Sequence, residues 1–336
     1  MKILKKSKLV PFLEGLEPEF EVIAPLFEGQ DVLFGDLDSS RLATEFLGKP
    51  RLSPKEYFLP QRETILTFRE NKSVQVEAHL NNSKRVLWGI RPCDLYGLKF
   101  LDKVYLSDYI DPYYEARRLN TLLIGLNCNE AEESAFCNSL GTGPFAKEGY
   151  DLLFTDLGNS FLVEVATKGG EEMVQKQASL FTDSTAKDKE QANMLEEISK
   201  KTFKTSIAMD RISAKIGVST ANPVWAEEAT KCILCGACNW VCPTCQCFNV
   251  EDTKVGNNTQ RVRYWDSCQL GGFTQMAVEN SRATQSQRLR QRILHKFSYN
   301  PEQYDGDIGC TGCGRCIEVC PVGIDITYIL GRVANE

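Results

Sequence analysis

Eight cysteines in two matched runs constrain this chain more than any other feature. The first run is Cys232, Cys235, Cys238 and Cys242, followed by Pro243. The second is Cys310, Cys313, Cys316 and Cys320, followed by Pro321. Both read C-x2-C-x2-C-x3-C-P, the spacing with which two-cluster ferredoxins hold cubanes. Three closely spaced thiolates wrap one cluster from a single tight loop, and the fourth points away to the neighbouring cluster. The spacing therefore predicts two [4Fe–4S] clusters. One falls on Cys232, Cys235, Cys238 and Cys320, the other on Cys310, Cys313, Cys316 and Cys242. Gly236, Gly312 and Gly314 lie between the thiolates, where the backbone must approach closely and reach positive φ. Structural zinc favours two separate C-x2–4-C pairs, which is not this pattern.

The rest of the composition narrows the class. The chain has 336 residues and a net charge of −6, enough for two or three domains and without a basic footprint for nucleic acid. Fourteen cysteines stand against two histidines, His79 and His295. That balance favours thiolate ligation and disfavours triad hydrolysis, whose usual base is histidine. The opening Met1-Lys2-Ile3-Leu4-Lys5-Lys6 lacks an apolar core and a cleavage site, so a cytoplasmic location with reduced thiols is expected. No stretch is long and apolar enough to span a membrane.

Along the chain, Val22 to Leu26 and Val32 to Phe34 read as a hairpin around Glu28-Gly29-Gln30, and Thr64 to Phe68 as a further strand. RVLWGI (Arg85 to Ile90) and TLLIGL (Thr121 to Leu126) read as buried strands. Between them, Leu95, Leu98, Leu101, Val104 and Tyr105 share one helical face. This order predicts a βαβ unit with parallel pairing. Leu152 to Phe154 and Phe161 to Val165 form a second hairpin signal. Glu171 to Lys215 is polar and helical, with N-caps at Asp183, Ser184 and Thr185. The expected fold class is α+β. A mixed α/β domain spans 1–168, a helical connector 169–221, and a two-cluster ferredoxin-like domain 222–336, with a long insertion at 248–305. Gly141-Thr142-Gly143-Pro144 reads as a tight turn and not as a nucleotide loop.

Six cysteines remain: Cys93, Cys128, Cys137, Cys245, Cys247 and Cys268. Cys93 begins a helix after one buried strand and Cys128 ends the next, so both belong at the carboxyl edge of a parallel sheet, where ligands collect. Either four of the six hold a third iron–sulfur cluster or they are buried free thiols. Cys93, Cys128 and Cys137 with one cysteine of the insertion form one grouping. Cys245, Cys247 and Cys268 form the basis of another. Arg288 and Arg292 share a helical face, either on a solvated helix or covering anionic clusters. Trp225, Trp240 and Trp265 lie near the ligands in sequence and could exclude water from them.

Longer phrases carry a family resemblance. They include SPKEYFLPQRET (53–64), IRPCDLYGLKFLD (90–102), DPYYEARR (111–118), FCNSLGTGP (136–144), NPVW (222–225), KCILCGACNWVCPTCQCF, WDSCQLGGFT, RQRILHKF and GCTGCGRCIEVCPVGIDI. Together they resemble the iron–sulfur β subunits of cytoplasmic NiFe hydrogenases (sulfhydrogenases) and the related A subunits of anaerobic sulfite reductase. Two positions depart from that pattern. Ala135 stands where relatives often carry a further cysteine, and Val278-Glu279-Asn280 replaces a histidine-bearing phrase. The resemblance implies a subunit that passes single electrons between a flavin- and NAD(P)H-binding subunit and a catalytic partner of the hydrogenase or sulfite reductase type. Iron–sulfur potentials span roughly −700 to +450 mV, wide enough for that traffic. The alternatives are catalysis in this chain, reducing a disulfide or sulfur compound at a non-standard cluster, and a structural metal scaffold.

Overall fold

The structure is a computed structural model that describes residues 1–46, 48–70 and 74–335. Its strands in chain order are β1 (Lys2–Lys5), β2 (Glu21–Glu28), β3 (Asp31–Asp36), β4 (Arg62–Glu70), β5 (Val74–Ala78) and β6 (Arg85–Ile90). They continue with β7 (Thr121–Leu126), β8 (Leu152–Asp156), β9 (Ser160–Val165), β10 (Phe181–Asp183), β11 (Phe248–Val255) and β12 (Asn258–Trp265). Eight of them form one sheet in the order β10-β1-β9-β8-β7-β6-β2-β3. The central run β2-β6-β7-β8 is parallel, and the flanking pairs are antiparallel.

The apolar runs RVLWGI and TLLIGL become the sheet centre because both faces there are covered. Val86 and Trp88 join a core with Leu4, Phe12, Phe154 and Phe161. Leu87 and Ile90 join the opposite core with Leu95, Leu98, Leu101 and Tyr114. Strict alternation would put Trp88 and Ile90 on the same face. A register shift between them, at Gly89 with φ 77°, sends them to opposite faces. The helix Pro92–Leu106 makes the crossover from β6 to β7, as the strand–helix–strand order predicts.

A second sheet, ordered β11-β12-β4-β5, is wholly antiparallel. The long insertion therefore begins as a hairpin that pairs with a strand from the N-terminal half. A buried charge network holds that join. Arg263 on β12 donates to Glu63 on β4 at 2.6 and 2.9 Å and also reaches Asp111, and Arg117 meets Glu63 at 2.5 Å. Arg117 and Arg118 are thus ion-paired, Arg118 with Asp102 at 3.1 Å. Asp111 also accepts from Tyr113 N and Tyr114 N at 3.0 and 2.9 Å, capping the helix Pro112–Leu119.

The polar stretch after residue 168 is mostly helical, yet its short β10 adds to the edge of the large sheet beside β1. Thr185 and Asp188 close a capping box on the helix Ala186–Ser199. A third core lies around the cysteine runs and gathers Ile212, Trp225, Leu289, Ile293, Phe297, Ile329 and Leu330 from separate helices. Among the described residues no helix is long and apolar enough to cross a membrane.

Candidate metal centre

The two runs fold as a repeated motif. In each, the residue two beyond the first cysteine has positive φ (Leu234, 59°; Gly312, 62°). Its amide points back at that cysteine, Leu234 N to Cys232 Sγ at 3.4 Å and Gly312 N to Cys310 Sγ at 3.5 Å. A glycine of positive φ, Gly236 or Gly314, then opens a four-residue helix, Ala237–Trp240 or Arg315–Glu318. The two short helices pack against each other. This packing brings each terminal cysteine toward the other run.

Cys232, Cys235, Cys238 and Cys320 line one cavity, with Cys316 beside them and Leu289, Ile293 and Ile326 in its wall. Cys242 lies instead against the second loop. Thr244, which contacts Cys242 Sγ at 3.2 Å, donates to Gly309 O at 2.7 Å. Cys235 is exposed, whereas Cys242, Cys310 and Cys313 are buried. Burial pushes the thiols of Cys238 and Cys310 up to about 12, so these groups favour the neutral thiol and would become thiolates on binding a metal group. Among the described residues no three metal-binding side chains converge on a point that a single ion could occupy.

The second loop is docked at the carboxyl edge of the parallel strands. Arg315 forms a bidentate pair with Asp94 at 2.6 and 2.7 Å, and its Nε donates to Pro50 O at 2.9 Å. Thr142 Oγ1 donates to Thr311 O at 2.6 Å, and Phe136 N to Gly312 O at 2.8 Å. Gly141 and Thr142 thus belong to a turn that holds this loop. A Cβ at Gly312 would fall 2.6 Å from Cys137 N and 2.7 Å from its Cα. Gly312→Ala is expected to cost about 1–3 kcal/mol in backbone strain, plus the displacement of the Phe136–Cys137 backbone. Gly323→Ala, also at positive φ (68°) but with open space around it, is expected to cost less. Thermal melts of the two variants compare these costs, and equal losses would refute the close-approach account.

The six other cysteines separate into two groups. Cys93, Cys128 and Cys137 line a cavity with Cys313, Arg91 and Lys49. Burial raises all three of these thiols. Cys245, Cys247 and Cys268 lie on the other side of the first run. There the adjacent Cys247, with Asn239, Gln269 and Arg292, outweighs burial and holds the Cys268 thiol down at about 6.

Three buried cations lie beside these cysteines. Arg292 is one of the residues expected either on a solvated helix or over anionic clusters, whereas Lys55 and Lys296 went unread in the sequence. Lys296 Nζ lies 3.2 Å from Cys242 Sγ, 3.1 Å from Thr244 Oγ1 and 2.8 Å from Gly309 O. Arg292 Nε donates to Asn239 Oδ1 at 2.9 Å. Lys55 Nζ lies 4.2 Å over the Trp265 ring, and Trp265 stacks on Trp240. Arg288 and Arg292 are buried, so this face is not solvated. The four-residue spacing Arg288, Arg292, Lys296 was the available signal. Lys55 had none beyond the family phrase around it. Trp225 packs in the third core. His295, whose neighbour Lys296 turns inward, is held down at about 4 by burial and by the charges of Lys296 and Arg282.

Matched loops, adjacent thiolate sets and a dry wall define an iron–sulfur protein with a two-cluster domain, and residues 231–324 match the 4Fe-4S dicluster domain family. The chain is 34% identical over 325 residues to the sulfhydrogenase 2 subunit beta of Pyrococcus furiosus, covering 96% of this chain and 95% of that one. It therefore belongs to the sulfhydrogenase β subunit family, whose iron–sulfur chemistry is electron transport. A second relative, the polyferredoxin protein MvhB of Methanothermus fervidus, is 33% identical over 101 residues, 28% of this chain and 20% of that protein. No solved structure matches the chain.

Proposed function

We propose that this chain is the electron-relaying subunit of a multi-subunit oxidoreductase of the hydrogenase or sulfur- and sulfite-reducing type. In this reading it passes electrons singly between a flavin- and NAD(P)H-binding subunit and a catalytic partner. Cys232, Cys235, Cys238 and Cys320 hold one [4Fe–4S] cluster, and Cys310, Cys313, Cys316 and Cys242 hold the other. The observation that carries the proposal is one cavity lined by Cys232, Cys235, Cys238 and Cys320, open at the exposed Cys235, beside the buried Cys242, Cys310 and Cys313. Each cluster supplies a one-electron store. The chain's own residues place the sulfurs, keep water from them and donate to them. Leu234 N, Gly312 N and Ile324 N aim at cysteine sulfur, and amide donors of that kind favour the more negative, reduced state.

The test is anaerobic isolation of the chain alone and with its co-purifying subunits. Alone, it should bleach with dithionite, recolour with an oxidant and show no turnover of sulfite, polysulfide or disulfide. With its partners, NAD(P)H should reduce it. Steady turnover of a sulfur compound by the chain alone would instead establish it as a reductase in its own right.

A further inference from the structure

We infer that Cys245, Cys247 and Cys268 ligate a third iron–sulfur group, whose negative charge is balanced by Lys55, Arg292 and Lys296. The inference rests on the iron–sulfur reading above, but it assigns cysteines that neither quartet uses. Cys245 and Cys247 follow directly on the first run, and the hairpin β11–β12 then returns the chain so that Asp266 N donates to Cys247 O at 2.9 Å. That return sets Cys268 beside Cys247. Asn239 Nδ2 and Gln269 Nε2 aim at Cys268 Sγ from 3.1 and 3.7 Å, presenting donors to sulfur as a ligating thiolate requires.

The charge balance points the same way. Lys55, Arg292 and Lys296 are 2%, 5% and 4% exposed. Lys55 Nζ reaches Cys245 O at 3.1 Å and Asn239 O at 3.4 Å, and Arg292 Nη2 reaches Cys238 O at 3.3 Å. Among the described residues, the hydrogen-bond partners of these cations are carbonyls, an amide, a hydroxyl and a thiol, never a carboxylate. Buried cations of this kind demand an anion nearby. The quartets meet Lys296 at Cys242 and Arg292 beside Cys238. Lys55 faces the Cys245 side, where Cys245 and Cys247 stand near it together with Cys242 of the quartet. The cavity of Cys93, Cys128 and Cys137 has one such cation against three here: Arg91, 4% exposed, donates to the carbonyls of Asn127 and Phe46, whereas its Lys49 is paired with Glu132 and Glu318. Three cysteines fill three corners of a cubane, and the fourth corner takes a ligand other than cysteine.

The test uses the whole chain purified anaerobically, with iron and sulfide counts and electron paramagnetic resonance. About twelve irons per chain are expected, as three cubanes require. Cys247→Ser with Cys268→Ser should bring the count to about eight and leave both quartet signals. Cys93→Ser with Cys128→Ser should leave the count unchanged. Lys55→Met, which alters no ligand, should keep the iron and shift the midpoint potential of the third signal alone to a more negative value. A wild-type count of about eight with both quartet signals present would overturn this inference and leave the relay reading intact. Iron lost from the Cys93/Cys128 variant and kept in the Cys247/Cys268 variant would also overturn it.

Discussion

A Cys320→Ser protein is expected to lose about four irons per chain, and the signal that disappears should be the one lost in Cys235→Ser. Cys320 lines the cavity of Cys232, Cys235 and Cys238 together with Cys316, and the spacing of the run assigns the fourth cysteine to the neighbouring cluster. By the same exchange, Cys242→Ser should match Cys313→Ser. Four variants should therefore give two residual spectra, paired across the runs. If Cys320→Ser and Cys313→Ser shared a spectrum instead, each run would hold its own cluster and the exchange of fourth ligands would be refuted. The two short helices pack against each other, an arrangement that would carry each terminal cysteine toward the other loop.

Arg315→Met is expected to destabilise the fold by about 3–5 kcal/mol, the usual cost of leaving a buried charge without its partner. Asp94 is 0% exposed and Arg315 2%, and their bidentate contact joins the crossover helix to the second cysteine loop. Asp94→Asn should lose a comparable amount. Asp94→Leu combined with Arg315→Met should recover most of the loss, because two apolar side chains leave no buried charge. Thermal unfolding of the iron-loaded protein gives the ranking. In the single variants the buried quartet should lose iron before the surface quartet. An Arg315→Met protein that melted with the wild type would show that the pair contributes nothing to docking the loop.

Most of the strands and the crossover helix were legible because their signals are local. RVLWGI and TLLIGL are apolar without interruption, and Leu95, Leu98 and Leu101 repeat at helical spacing. The second sheet was not legible. Val250, exposed on β11, and Val262, buried on β12, belong to a hairpin whose partner strand β4 lies far earlier in the chain. Nothing local in Thr64 to Phe68 announces that pairing. The sequence left the face of Arg288 and Arg292 open between water and the clusters, and missed Lys296, for a related reason. A cationic helix face ordinarily lies in water, and only the anionic chemistry of the neighbouring loop makes burial favourable.

The residues alone determined the chemistry, because thiolate spacing along a tight loop is a covalent property that no distant contact can change. From it comes the two-cluster domain. Tertiary structure decided the surroundings. It buries Cys310 and Cys313 at the sheet edge beside the Asp94–Arg315 pair and leaves Cys235 at the surface. It also buries three cations among the cysteines, Lys296 at Cys242, Arg292 at Cys238 and Lys55 at Cys245. Those outcomes depend on long-range packing and on desolvation, which arise only once distant segments meet.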